Sequence, residues 1–242
     1  MGLLLIEQAF NGLQFGVMLF LIAAGLTLVF GIMDLVNLSH GSLVMVGAYL
    51  ATTLIEWTGS FILGILLALP STFLVGVVVE IVVLRTLYER DHLDQVLATF
   101  GLILFFNELI RIVWGPASLY SGLPESISGH VEILPGVPYP AFRLLIILVG
   151  LLVALLIYFI VARTKLGMLI RAGASNRDMV RGLGINIRRL YRTVFAAGVA
   201  LAALAGMIAA PMTAARKERG KGLARDVARD GRARGTVGRT EG

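Results

Sequence analysis

The chain has 242 residues, is 57% hydrophobic and only 15% charged, and carries no cysteine. Soluble domains run at roughly 45–50% apolar and about 25% charged, so the composition indicates a polytopic membrane protein, and the missing thiols exclude disulfides and thiolate metal sites. The formal charge of +6 resembles that of a nucleic-acid binder, but residues 1–215 carry 12 Lys/Arg against 11 Asp/Glu while residues 216–242 carry 9 against 4, so the excess is local and implies no nucleic-acid partner.

The first apolar segment runs from about Ala9 to Ile32. Roughly 20 helical residues cross a bilayer core, so it can span. The first basic residue is Arg85, and the lack of any before this segment argues against a cleavable signal peptide. Gly12 and Gly16 form a small-xxx-small pair, expected to allow close helix contact.

Asp34, Asn37, Ser39 and His40 then fall between Gly31 and Gly41, directly before a second apolar run from Ser42 to Ile55. That run is short for a span. It reaches full length only if it starts near Leu35, which puts Asn37, Ser39 and His40 in the bilayer or at its edge. Irregular polar backbone at that depth requires protein or a water-filled cavity beside it, and broken helices of this kind line transport sites. The alternative is a simple polar turn. No second His, Cys or carboxylate stands at ligand spacing from His40, so no metal site is expected.

A third segment runs from about Phe61 to Leu84 around Pro70, with Glu80 near its inner end. A fourth runs from about Val96 to Trp114. Glu108 and Arg111, three apart, can pair on one face of it, and Trp114 suits an interfacial anchor. Gly115 to Pro140 holds five prolines and no Lys or Arg, as an outer loop would. The fifth span is about Ala141 to Ala162 and the sixth about Thr193 to Met212, where Gly198, Ala202, Gly206 and Ala210 recur every four residues as a close-packing face.

Between these two lies a basic island, Arg163 to Arg192, with eight Lys/Arg and one acid, Asp178. So many cations beside spans mark the cytoplasmic side. Ser175 and Asp178 have the capping-box spacing. Met179, Val180 and Leu183 fall on one helical face and Arg177 and Arg181 on another. Gly182 and Gly184 are placed to stop the helix. About two turns of helix are marginal alone, so this one requires either the bilayer surface or a partner protein. With the island inside, Gly115–Pro140 is outside and the N-terminus is outside. The tail, 213–242, has nine Lys/Arg, six Gly and no apolar period. It reads as disordered. Its charge on the outer side breaks the positive-inside pattern, as a shifted reading frame would.

Four stretches together resemble the permease subunits of branched-chain amino acid ABC importers. They are Phe10–Tyr49 with its Asn37–Gly41 signature, Glu80 to Gly115, Ala174–Asn186 with Asn176 and Gly184-Ile185-Asn186, and Phe195–Gly206. The similarity covers about residues 5–212, a permease domain of 1–212 that is incomplete by comparison with the family. It implies an all-α polytopic protein of the bacterial inner membrane with about six transmembrane helices, one broken near Asn37–Gly41. The implied partners are a second permease subunit (homo- or heterodimer), cytoplasmic ATP-binding subunits and a periplasmic amino-acid-binding protein. The substrate path then includes Asn37, Ser39, His40 and Gly41. A short cytoplasmic coupling helix joins the ATPase through Ser175, Asn176, Asp178, Met179, Val180, Leu183, Gly184 and Asn186. The chain has no G-x-x-x-x-G-K-S/T phosphate loop, so ATP would be used by partners; it is no enzyme and needs no cofactor of its own. The alternatives are a urea or amide permease, a non-functional fragment, and a secondary transporter coupling ions through Glu108, Asp34 or His40.

Overall fold

The structure is a computed structural model that describes residues 2–88, 90–116, 129–134 and 137–211. The expected disordered tail and most of the outer loop lie outside these residues. The order is α1 (Gly2–Met33), α2 (His40–Thr58), α3 (Phe61–Val82), a 3-10 turn (Leu84–Thr86), α4 (His92–Trp114), β1 (His130–Leu134), β2 (Val137–Pro140), α5 (Ala141–Arg163), α6 (Lys165–Ser175) and α7 (Arg177–Gly182). A final helix, α8, spans Ile187–Pro211. Among the described residues five helices, α1, α3, α4, α5 and α8, are long and apolar enough to cross a membrane. The sixth, α2, is the short run the sequence marked: 19 residues with His40 and Ser42 in its first turn.

In α8, 67% of the apolar window is buried, against 17–28% in the other four. It is the central post of the bundle, and its small residues make that possible. A Cβ on Gly198 would sit 2.8 Å from the Gly25 carbonyl oxygen of α1, and one on Gly76 of α3 would sit 2.9 Å from the Ala196 Cα. Gly206 lies against the Val44 backbone and Ala203 against Gly47, both in α2. Helices in lipid gain little from burying apolar surface against each other, so close backbone approach and van der Waals contact hold them together. The predicted close-packing face is present. The Gly12–Gly16 pair is not used this way: neither glycine has a neighbour within 4 Å of its Cβ position.

Other details differ from expectation for local reasons. α4 begins at His92 rather than Val96 because Gln95 folds back, its amide donating to the carbonyls of Leu87 (3.2 Å) and Arg90 (3.1 Å). α8 begins at Ile187 rather than Thr193 because the Asn186 side chain accepts the Arg189 N–H at 3.1 Å, an N-cap. The outer loop ends in a two-stranded antiparallel hairpin, with Val131 opposite Tyr139. Two ties fix helix ends on that side. Tyr139 and Arg143 both donate to the Asn11 side chain. The Trp114 indole, read as an interfacial anchor, donates to Thr53 of α2 at 2.7 Å and packs 5.4 Å from the Tyr49 ring.

Candidate functional site

The break between α1 and α2 covers residues 34–39, so it overlaps the expected Asn37–Gly41 stretch but lies earlier, with His40 and Gly41 already in α2. Asp34 takes φ +53, a left-handed conformation for a non-glycine residue, and its N–H still closes the last turn of α1 on Phe30 at 3.0 Å. Asp tolerates this region better than most side chains. The Asn37 side-chain oxygen then accepts both the Ser39 N–H (3.1 Å) and the Ser39 hydroxyl (2.6 Å). This Asx turn resolves the backbone before α2 starts at His40. Asn37, Ser39 and His40 are buried and Gly41 is exposed. The His40 ring nitrogen Nε2 lies 3.2 Å from the Ile22 carbonyl oxygen, while Nδ1 and the Asn37 amide nitrogen have no hydrogen-bond partner among the described residues. Three polar side chains are therefore held inside protein at a helix break, two with unused hydrogen-bonding capacity. The Asn37 amide nitrogen can only donate, and His40 Nδ1 accepts when Nε2 donates to the Ile22 carbonyl, so a group that both accepts and donates, such as water, can meet the two.

A second buried polar group sits nearby. Glu80 of α3 is 0% exposed. Its Oε2 accepts from Arg192 Nε of α8 at 3.0 Å, and its Oε1 accepts the Tyr88 hydroxyl at 3.0 Å. Burial, and then the Glu80 charge, push the Tyr88 hydroxyl well above the usual phenol range, so it remains a protonated donor. An ionised carboxylate in so apolar a place requires a partner. Sequence reading noted Glu80 but assigned it no role. The signal was available: a carboxylate near the inner end of one span and a cation at the inner start of another.

The island is more ordered than a loop. After the Thr164 turn, whose hydroxyl oxygen accepts the Gly167 N–H at 3.2 Å, α6 runs back across the bundle end, and its Gly173 packs near Ile32 and Leu190. The Arg171 guanidinium donates to the Val161 carbonyl. α6 has its own signal in the sequence, the helical spacing of Leu166, Leu169, Ile170 and Gly173. The capping box is corrected: Ser175 is the last residue of α6, and the N-cap of α7 is Asn176, whose side-chain oxygen accepts the Met179 N–H at 2.9 Å. Asn176 is one residue closer to the helix and presents its oxygen to the third helical amide, so Ser175 is left outside. Of the two expected stop glycines only Gly184 is left-handed, at φ +78; Gly182 remains in the last turn of α7.

The apolar stripe of α7 is also divided. Val180 is 3% exposed and enters the core, whereas Met179 is 66% and Leu183 70% exposed. Residues 179 and 180 are adjacent, about 100° apart around a helix, so one anchors while the other faces out. Arg177 lies 3.8 Å from Asp34 at the break, both well exposed. Val180, Ile187, Leu190 and Tyr191 share one buried cluster with Ile32, Met33, Leu35 and Leu43, which flank the break. The two sets of residues named from the sequence thus meet through a continuous core. Glu108 and Arg111 do pair, at 3.9 Å on the exposed face of α4.

Comparison with known proteins identifies the family. A family described as branched-chain amino acid transport system / permease component matches residues 8–224. The high-affinity branched-chain amino acid transport system permease protein BraD of Pseudomonas aeruginosa is 30% identical over 216 residues, covering 84% of this chain and 70% of that protein. The permease protein LivH of Escherichia coli, of the same description, is 27% identical over 217 residues with the same coverage. A probable branched-chain amino acid transport permease of Methanocaldococcus jannaschii is 28% identical over 204 residues, 78% of this chain and 61% of that one. No solved structure matches.

Proposed function

The chain belongs to the branched-chain amino acid transport permease family, and from that membership we propose that it forms part of the translocation path for branched-chain amino acids and couples that path to separate ATPase subunits. It is a multi-pass membrane permease subunit, not an enzyme. In the proposed mechanism Met179 and Leu183 enter a groove of a cytoplasmic ATPase. ATP-driven movement of α7 reaches the break through Val180, and the polar residues Asn37, Ser39 and His40 face substrate when the break rearranges. A second permease subunit completes the path, and a periplasmic binding protein delivers the amino acid. Apolar selectivity then rests on pocket shape and on that binding protein.

The observation that carries this reading is the buried cluster shared by Val180 of α7 and Leu35 of the break. Packed cores shift between discrete arrangements rather than deform smoothly, so a core that includes both elements is suited to transmit a displacement. The test is uptake of labelled leucine by cells lacking their own transporters, supplied with this chain and its partner subunits. Uptake should require the ATPase and should fall strongly when Asn37 and His40 are both replaced by Ala. Normal uptake by that double variant removes the two residues from the path. Uptake that persists without any ATPase subunit favours a secondary transporter instead.

A further inference from the structure

We propose that the arginine-lined cavity at the island end of the bundle binds a phosphate-bearing anion. The cavity has a volume of about 1220 Å³. Arg85 and Arg90 reach it from the α3–α4 connection, Arg177 and Arg181 from α7, and Arg188 from the start of α8. Among the described residues Asp178 is the one carboxylate in its lining, against five arginines. Among the described residues only Arg177 of these five arginines has an ion pair, the exposed one with Asp34.

A second observation is independent of the charge. Tyr191, only 4% exposed, belongs to the lining, and its hydroxyl has no hydrogen-bond partner among the described residues. A buried hydroxyl without a partner is costly, and convergent like charges repel. An anion with several oxygens resolves both, accepting from guanidinium forks and from the phenol together. Guanidinium groups match phosphate oxygens two at a time. The space exceeds what a monatomic ion fills and suits a polyphosphate or a lipid headgroup.

The cavity shares Asp178 and Asn186 with the residues named for ATPase coupling, while the outward apolar side chains Met179 and Leu183 are not in its lining. The proposal rests on the arginines and Tyr191 rather than on α7 docking a partner. A concave wall of arginines suits a small anion, whereas the outward apolar side chains of α7 suit a protein.

The test uses the full chain in phosphatidylcholine nanodiscs with inorganic pyrophosphate as probe, titrated calorimetrically. One saturable site is expected. Its affinity should fall roughly tenfold or more in the Arg181→Gln/Arg188→Gln double variant, which removes charge-assisted hydrogen bonds, and about threefold or more in Tyr191→Phe, which removes one hydroxyl. Should the double variant not fold, Tyr191→Phe decides the matter by itself. Weaker apparent binding in phosphatidylglycerol nanodiscs identifies a lipid headgroup as the competing occupant, and equal binding in both lipids identifies a soluble phosphate compound. Absence of saturable binding, or equal binding by wild type and variants, overturns the proposal. So does a double variant that keeps its pyrophosphate affinity and loses only association with the ATPase, since the cavity is then a protein contact.

Discussion

Arg192 at the start of α8 holds its Nε 3.0 Å from Oε2 of Glu80 in α3, and the carboxylate it meets is wholly buried. The pair joins the central post of the bundle to a peripheral span at the same end as the island, and Tyr88 adds the third member from the connecting loop. Taking a charge out of water is costly, so such a pair is better viewed as a device that selects one arrangement than as a source of stability. Arg192→Ala should destabilise the protein by about 3–5 kcal/mol, because the buried Glu80 carboxylate loses its cationic partner and keeps only the Tyr88 hydroxyl. Glu80→Gln should cost less, and combining the two should recover part of the loss. Thermal unfolding of the single and double variants in nanodiscs checks this; a strictly additive cycle would show that the two residues do not interact.

The glycines of the bundle divide into two groups. Gly25 and Gly198 hold backbones together, with a Cβ on Gly25 meeting the Gly198 oxygen at 2.5 Å, while Gly12 and Gly16 have open space. Gly198→Val should cost about 1–3 kcal/mol or more through overpacking, whereas Gly12→Ala and Gly16→Ala should leave the melting temperature of this chain unchanged. The comparison of melts in one detergent is sufficient, and equal effects at both pairs would contradict the packing described.

The start of α7 offers a local test. Asn176→Ala removes the side chain that accepts the Met179 amide, and a lost N-cap costs about 1 kcal/mol. Ser175→Ala should have no such effect. Hydrogen exchange at the Met179 amide should accelerate several-fold in the first variant only. Acceleration in the second instead would restore the capping box at Ser175.

The divided face of α7 separates docking from folding. Leu183→Asp and Met179→Asp change exposed side chains and should weaken co-purification with the ATPase without altering the melt. Val180→Asp places a charge in the shared core and should destabilise the island itself, a cost of several kcal/mol for an unpaired buried charge. Full retention of the ATPase by Leu183→Asp would remove α7 from the coupling role.

The order of the spanning segments was legible in the sequence, although five of the six segments read as spans, and not α2, are long and apolar enough to cross a membrane among the described residues. So were a break overlapping Asn37–Gly41, the small-residue face of α8 and the charge of the island. Each is a property of one stretch: length against bilayer thickness, the period of small side chains, a cluster of polar residues between apolar runs. Tertiary structure decided which glycine pair is used, because Gly12 and Gly198 have the same local chemistry and differ only in what stands opposite. It also decided that Asn176 rather than Ser175 caps α7, since the turn ending α6 determines which side chain reaches the third amide. The contact between Glu80 and Arg192 links residues 112 positions apart, and no local pattern encodes such a distance. The same holds for Val180 reaching the core of the break: periodicity identifies an apolar face, but only the packing of α7 against α8 determines which of its side chains is buried and which remains free for a partner.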